Sequence, residues 1–175
     1  DGTDTVVAVA NDTLYWNDQK FELDGKIHLW RAGKLGEDRS ESLILVTGRS
    51  RSHPQALPKI IGVQNDKVAL LYIGSSTTER ISDIRIDRRG LFVTRIGSDK
   101  VAKGGWLKDK LISDEVSAVM GLQQAPLRTG AVAVGRLYGD KPKEPGRLEI
   151  HTPNGEVRAI PTLRGVRAIE VADMN

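Results

Sequence analysis

The sequence predicts an all-β fold built from repeated antiparallel sheets. Apolar residues alternate with polar ones over short runs, as at Val7 and Val9, and Gly, Pro, Asn and Asp bound these runs. This is the pattern of half-buried strands. A similar strand pattern recurs at roughly constant spacing, and helical periodicity is scarce. The best helix candidate, residues 106–112, is too short to be stable as a helix in water.

Short strands are predicted along the whole chain. The same alternation predicts strands around Ile27 and Leu29, Leu43 and Leu45, Ile84 and Ile86, and Leu148 and Ile150. Two further strands, residues 68–73 and 131–134, follow polar turns. Residues 87–90, with the sequence DRRG, predict a hairpin turn.

Two sets of markers indicate an internal repeat. Residues 61–65, 120–124 and 169–173 share one pattern, in which an alternating strand ends in a polar turn. Val63, Leu122 and Val171 in these segments are separated by 59 and 49 residues. A glycine precedes another similar strand at positions 25, 90 and 146, with spacings of 65 and 56 residues. The two sets agree on three repeats.

A unit of this length with about four short strands fits one blade of a β-propeller, in which each sheet buries both faces against its neighbours. We therefore predict a single all-β unit, a partial β-propeller of about three four-stranded antiparallel blades. Its repeats cover approximately residues 1–66, 67–124 and 125–175. The alternative is a β-sandwich, because amphipathic strands resemble one another in any all-β fold.

The two ends of the chain carry a more specific motif. The chain finishes with residues 171–175, VADMN, and starts with residues 1–9, DGTDTVVAV. Read from end to start, they resemble the Asp-x-Asn-Gly-Asp-Gly-x-x-Asp loop and following strand of FG-GAP or VCBS repeats, which build integrin-alpha-like propellers. One complete loop forms only if the ends meet or a neighbouring chain supplies half of it. The resemblance therefore implies an excised segment of a longer propeller or a homodimer that closes a six-bladed ring.

The resemblance also implies a calcium site in this loop. Asp173, Asn175 and Asp1 would be successive ligands, and Thr3 would offer its carbonyl oxygen. Calcium takes six to eight oxygen ligands, which alternating Asp and Asn residues supply. The alternative is a solvated Asp/Asn/Gly turn without an ion.

Composition excludes several classes of function. The net charge of +3 comes from 26 basic and 23 acidic residues spread along the chain, so no basic stripe predicts a nucleic-acid partner. The absence of cysteine excludes disulfides and thiolate metal sites. No apolar run approaches the roughly 20 residues of a membrane-spanning helix, so we expect no membrane span. Because the chain starts at Asp1 rather than Met, we expect a processed or excised piece.

Two groups of residues are candidate ligand contacts. Arg49, Arg51 and His53 lie in the polar segment 47–54, where forked guanidinium groups can hold a carboxylate, sulfate or phosphate. Tyr15 and Trp16 are candidates for stacking on a sugar ring. The alternatives are a flexible solvated loop for the first group and packing between sheets for the second.

We expect a non-catalytic binding or scaffold module, because no nucleophile elbow or zinc-protease motif is present. Its loops would contact a protein or glycan partner, as in cell adhesion. The resemblance implies an extracellular or periplasmic setting, where calcium is available. The alternative is part of a carbohydrate-active enzyme such as a polysaccharide lyase. That reading requires Arg49, Arg51, His53 and His151 to cluster on one rim.

Overall fold

The computed structural model of the chain describes residues 7–16, 19–35, 41–64, 67–119, 121–140, 143–162, 165–166 and 168–171. All regular elements among these residues are β-strands, which confirms the all-β prediction. Within the same residues, no helix has the length and apolar character needed to cross a membrane. The chain divides into two compact units, residues 1–80 (the N-terminal unit) and residues 81–175 (the C-terminal unit).

The N-terminal unit contains two antiparallel sheets in its described residues. The first has the order β1 (Val7–Ala10), β2 (Thr13–Trp16) and β3 (Gln19–Glu22), and the second has the order β4 (Lys26–Lys34), β5 (Glu41–Gly48), β6 (Lys59–Gln64) and β7 (Lys67–Ile73). Leu14 of β2 is fully buried against Leu43 and Leu45 of β5 and Val63 of β6. The faces of the two sheets therefore pack together around an aliphatic core.

The C-terminal unit repeats this arrangement with two four-stranded sheets. The first contains β8 (Arg80–Asp87), β9 (Gly90–Ile96), β10 (Val101–Lys108) and β11 (Leu111–Val119), and the second contains β12 (Gly121–Pro126), β13 (Val132–Arg136), β14 (Arg147–His151) and β15 (Val157–Pro161). Phe92 of β9 packs against Val132 and Val134 of β13 and meets the ring of Trp106 edge-on, with 5.2 Å between ring centroids. Aromatic and β-branched side chains thus fill the space between these sheets.

A close contact joins β12 to β10 between the two C-terminal sheets. The side chain of Gln124, on β12, is fully buried, and its Nε2 donates a hydrogen bond to the carbonyl oxygen of Ala102 at 3.4 Å. A Cβ atom at Gly104 of β10 would lie 1.7 Å from Gln124 Oε1 and 2.9 Å from Phe92. The absence of a side chain at Gly104 leaves the space that the buried Gln124 amide and the Phe92 ring occupy.

The structure corrects the predicted phase of the repeat. Gly25 precedes the first strand of its sheet, Gly90 opens the second strand of the next sheet, and Gly146 precedes the third strand of the last. Gly25 and Gly90 have φ angles of +114° and +128°. Gly146 instead lies so close to Arg136 that an added Cβ atom would be 2.0 Å from its carbonyl oxygen. Local backbone requirements, rather than one shared blade position, explain these glycines.

The structure also corrects the helix candidate and the third copy of the first repeat pattern. Residues 106–112, the helix candidate, belong to the β10–β11 hairpin, whose turn residues Asp109 and Lys110 have φ angles of +49° and +65°. Two positive φ angles are typical of a type I′ turn. Residues 168–171 form no strand, so the third copy of the first pattern is wrong in its described part. The predicted repeat boundaries fall between β6 and β7 and inside β12.

Candidate functional site

The predicted calcium ligands Asp1, Thr3, Asp173 and Asn175 lie outside the described residues. The described part of the chain holds no group of three or more His, Asp or Glu side chains that could bind a metal ion. The calcium site therefore stays a prediction from sequence.

Tyr15 and Trp16 are neighbours on β2 and so point to opposite faces of their sheet. Trp16 packs against the core cluster around Leu14, whereas Tyr15 is 41% exposed. The structure therefore does not bring the two rings to one surface. Of the pair, Tyr15 is the more exposed ring.

The loop with Arg49, Arg51 and His53 is closed by its own hydrogen bonds. The carbonyl oxygen of His53 accepts from the backbone N–H groups of Ser50 and Ala56, both at 3.2 Å. The His53 N–H donates to Ser50 Oγ at 3.0 Å. Both arginines are exposed, while His53 lines a cleft of about 390 Å³ with Asp24 and Lys59. The arginines are not among the residues that line this cleft, so the predicted anion site is not assembled as one concave surface.

Sequence reasoning missed a partly buried ionic cluster in the C-terminal unit. It consists of Arg136, Asp140, Arg147, Glu149 and His151, here called the β14 cluster. Glu149 Oε1 accepts hydrogen bonds from Arg136 Nη1 at 2.9 Å and Arg147 Nε at 2.7 Å, and Glu149 Oε2 lies 2.9 Å from His151 Nε2. Asp140 bridges the same two arginines, at 2.9 and 2.8 Å. Alternation on β14 puts residues 147, 149 and 151 on one face. Their ion pairs with residues 136 and 140 form only when the chain folds, so the local sequence pattern does not predict them.

The β14 cluster favours ionised carboxylates. Burial alone would raise the pKa of Glu149, but hydrogen bonds with Arg136, His151 and Arg147 outweigh burial and lower its pKa below the usual 4.5. Hydrogen bonds from Arg147 and Arg136 likewise lower the pKa of Asp140. Both carboxylates of the cluster are therefore charged and paired at neutral pH.

A second group of arginines surrounds a cleft of about 370 Å³ at the turn between β8 and β9. Its charged lining consists of Arg85, Arg88, Arg89 and Arg128 together with Asp87 and Glu170, and it is called the arginine cleft. The lining itself contains four arginines and two carboxylates, and Asp83, which pairs with Arg85 from outside the lining, is a third carboxylate. Ile86 and Pro126 are among the apolar residues of the lining.

Neighbouring groups hold two of these arginines in place. Arg89 Nη2 donates to Asp87 Oδ2 at 2.8 Å, and its guanidinium carbon lies 4.5 Å from the centre of the Trp106 ring. Arg85 Nε donates at 3.2 Å to Asp83, whose side chain is 3% exposed. Arg88 is exposed and makes no ion pair with another described residue. The cleft thus combines fixed arginines with one that is open to a ligand.

The arginine cleft has a weak signal in the sequence. Residues 87–90 predict a hairpin turn, and the structure confirms it, because β8 ends at Asp87 and β9 starts at Gly90. Three arginines at positions 85, 88 and 89 around that turn are the part of the signal that could have indicated a site. Arg128 and Glu170 come from distant segments, and no local pattern predicts their approach.

Comparison with known proteins gives no relative. No protein-family model matches the chain, and no curated protein or solved structure matches it either.

Proposed function

We propose that the chain is a non-catalytic binding module of β-propeller type whose arginine cleft accepts an acidic group of a protein or glycan partner. The observation that carries the proposal is the excess of arginines over carboxylates in one concave surface. Arginine forks match carboxylate, sulfate and phosphate groups bidentately. Because Arg85 and Arg89 are already held by Asp83, Asp87 and Trp106, little side-chain entropy is lost when an anion binds.

The order of the strands supports the propeller part of the proposal. Each of the three four-stranded sheets is a simple meander, in which strands consecutive in sequence are neighbours. Propeller blades have this connection, whereas sandwiches of the immunoglobulin type exchange strands between sheets in Greek-key order. Within each unit, two successive meanders pack face to face, as adjacent blades do.

The enzyme alternative gains no support from the described residues. Arg49, Arg51 and His53 lie in the N-terminal unit and His151 lies in the C-terminal unit. His151 contacts Glu149 in the β14 cluster, but Glu149 is buried and its charge is neutralised by Arg136 and Arg147. Such pairing is typical of a structural network rather than of a general acid and base awaiting substrate.

Titration calorimetry at low and physiological salt tests the proposed function. The ligands are polyglutamate, a sulfated oligosaccharide and a neutral dextran. We expect at least one acidic ligand to bind, with an affinity that falls as salt rises, and the dextran not to bind. Arg88→Gln should weaken binding, because it removes the open guanidinium of the cleft.

The matched control is Arg158→Gln, which removes the same charge from exposed β15 in the same unit. Equal losses of affinity in the two variants would mean that net charge, and not the arginine cleft, attracts the ligand. Binding of the neutral dextran as tightly as the acidic ligands would contradict the proposal directly.

A further inference from the structure

The arginine cleft already holds a piece of polypeptide from its own chain. Residues 168–171 form no regular element, and Glu170 and Val171 lie in the lining of the cleft. The N–H of Ile169 donates to Gln123 Oε1 at 2.9 Å, and its carbonyl oxygen accepts a hydrogen bond from Arg85 Nη2. Side chains therefore bind both main-chain groups of one residue.

An acidic side chain follows immediately. Glu170 Oε2 lies 3.9 Å from Arg85 Nη1, and the Glu170 side chain is 89% exposed. Arg85 thus contacts a peptide carbonyl and the next carboxylate together. This combination matches a peptide, in which a main-chain carbonyl and the acidic side chain of the next residue recur at this spacing.

The other residues that line the cleft also favour a peptide ligand. Arg88, Arg89 and Arg128 supply further cationic groups, and Ile86 and Pro126 supply apolar surface for intervening side chains. No aromatic residue is among those that line the cleft, so it offers no ring on which a sugar or a base would stack.

From these contacts we infer that the partner bound at the arginine cleft is an acidic peptide segment of another protein, which competes with Glu170 for Arg85. The inference rests on the proposed function and narrows it from any acidic group to a polypeptide. β8 and β12, which both contribute to the lining, are the end strands of their sheets among the described residues.

Fluorescence anisotropy with labelled peptides tests the inference. The probe is a short peptide with glutamate at alternate positions, and its twin has glutamine at those positions. We expect the glutamate peptide to bind about tenfold more tightly, because charge-assisted hydrogen bonds are roughly twice as strong as neutral ones. Arg88→Gln should weaken its binding about fivefold, while Arg158→Gln should leave it unchanged.

Glu170→Gln tests directly whether Glu170 competes with the peptide for Arg85. It removes the competing carboxylate and should tighten binding of the glutamate peptide about two- to fivefold, because an exposed ion pair contributes little. Glutamate and glutamine peptides of equal affinity, or an unchanged or weaker affinity in Glu170→Gln, would overturn the inference.

A sulfated oligosaccharide separates this inference from the proposed function. If the oligosaccharide binds in an Arg88-dependent way and the glutamate peptide does not, the acidic-group site stands and the peptide inference is wrong. If neither ligand binds even at low salt, both are wrong.

Discussion

In the β14 cluster, the side chains of Arg136 and Glu149 are 7% and 5% exposed, whereas in the arginine cleft those of Arg89 and Asp87 are 37% and 33% exposed. Both pairs have short ionic hydrogen bonds, of 2.9 and 2.8 Å. Distance therefore does not distinguish them, and the difference lies in hydration and in the number of carboxylates around each arginine.

This difference separates a structural role from a binding role. Burial of an unpaired charge is very costly, so the arginines of the β14 cluster need Glu149 and Asp140 to be present. In the cleft, water solvates arginines that outnumber carboxylates, and an incoming anion can replace that water. The comparison predicts large stability effects in the first region and small stability effects with changed affinity in the second.

The largest effect is expected for Glu149→Gln. An amide cannot neutralise buried Arg136, so the free energy of unfolding should fall by about 3 kcal/mol. Urea unfolding at neutral pH measures this, with Asp87→Asn as the matched change in the cleft, for which the loss should stay below about 1 kcal/mol. Similar losses in the two variants would remove the distinction between the regions.

Gly104→Ala should lower the stability of the C-terminal unit by about 2 kcal/mol, since an added Cβ atom would collide with the buried side chains of Gln124 and Phe92. The change alters no charge, so it separates packing from electrostatics. Urea unfolding should show the loss, while the glutamate peptide should bind the folded variant as tightly as it binds the unchanged protein. A loss of affinity would mean that the arginine cleft depends on the packing between the two sheets.

Acid should destabilise the protein through the β14 cluster. The pKa of Glu149 is lowered on folding, so the stability that this carboxylate contributes is present above 4.5, its usual pKa, and is lost as the pH falls through the folded value. Asp140 contributes less, because its side chain is 60% exposed. Thermal unfolding midpoints measured below pH 4.5 should therefore fall more steeply in the unchanged protein than in Glu149→Gln. Parallel curves would place the acid sensitivity elsewhere.

The sequence predicts the strands better than their assembly. Period-two alternation is a local property, and it correctly indicates strands such as β5 and β14 and the turn at residues 88–89. The equivalence of Gly25, Gly90 and Gly146 is wrong because glycine is required both by a positive φ angle and by close backbone approach, and these needs arise at different strands of the three sheets.

The local sequence pattern does not predict the proposed binding surface. Arg49 and Arg51 are two residues apart in an obvious basic segment, yet they do not line the cleft that His53 lines. Arg85 and Glu170 are distant in sequence and lie 3.9 Å apart. An excess of charge in a concave surface arises only when distant segments come together in the fold. Ion pairs with carboxylates from other strands then decide which arginines can bind a ligand.

The smallest effect on stability is expected for Arg89→Lys. This variant tests whether the arginine cleft binds through the guanidinium fork or through charge alone. The substitution keeps the charge but loses the planar fork on Asp87 and the stacking on Trp106. The free energy of unfolding should fall by only about 0.5 kcal/mol, because the Arg89 side chain is partly exposed. Affinity for the glutamate peptide should nevertheless fall about threefold, since a lysine ammonium is a point charge that does not hold a carboxylate bidentately. Unchanged affinity would mean that the cleft acts through positive charge alone, and that fixing Arg89 against Trp106 serves no role in binding.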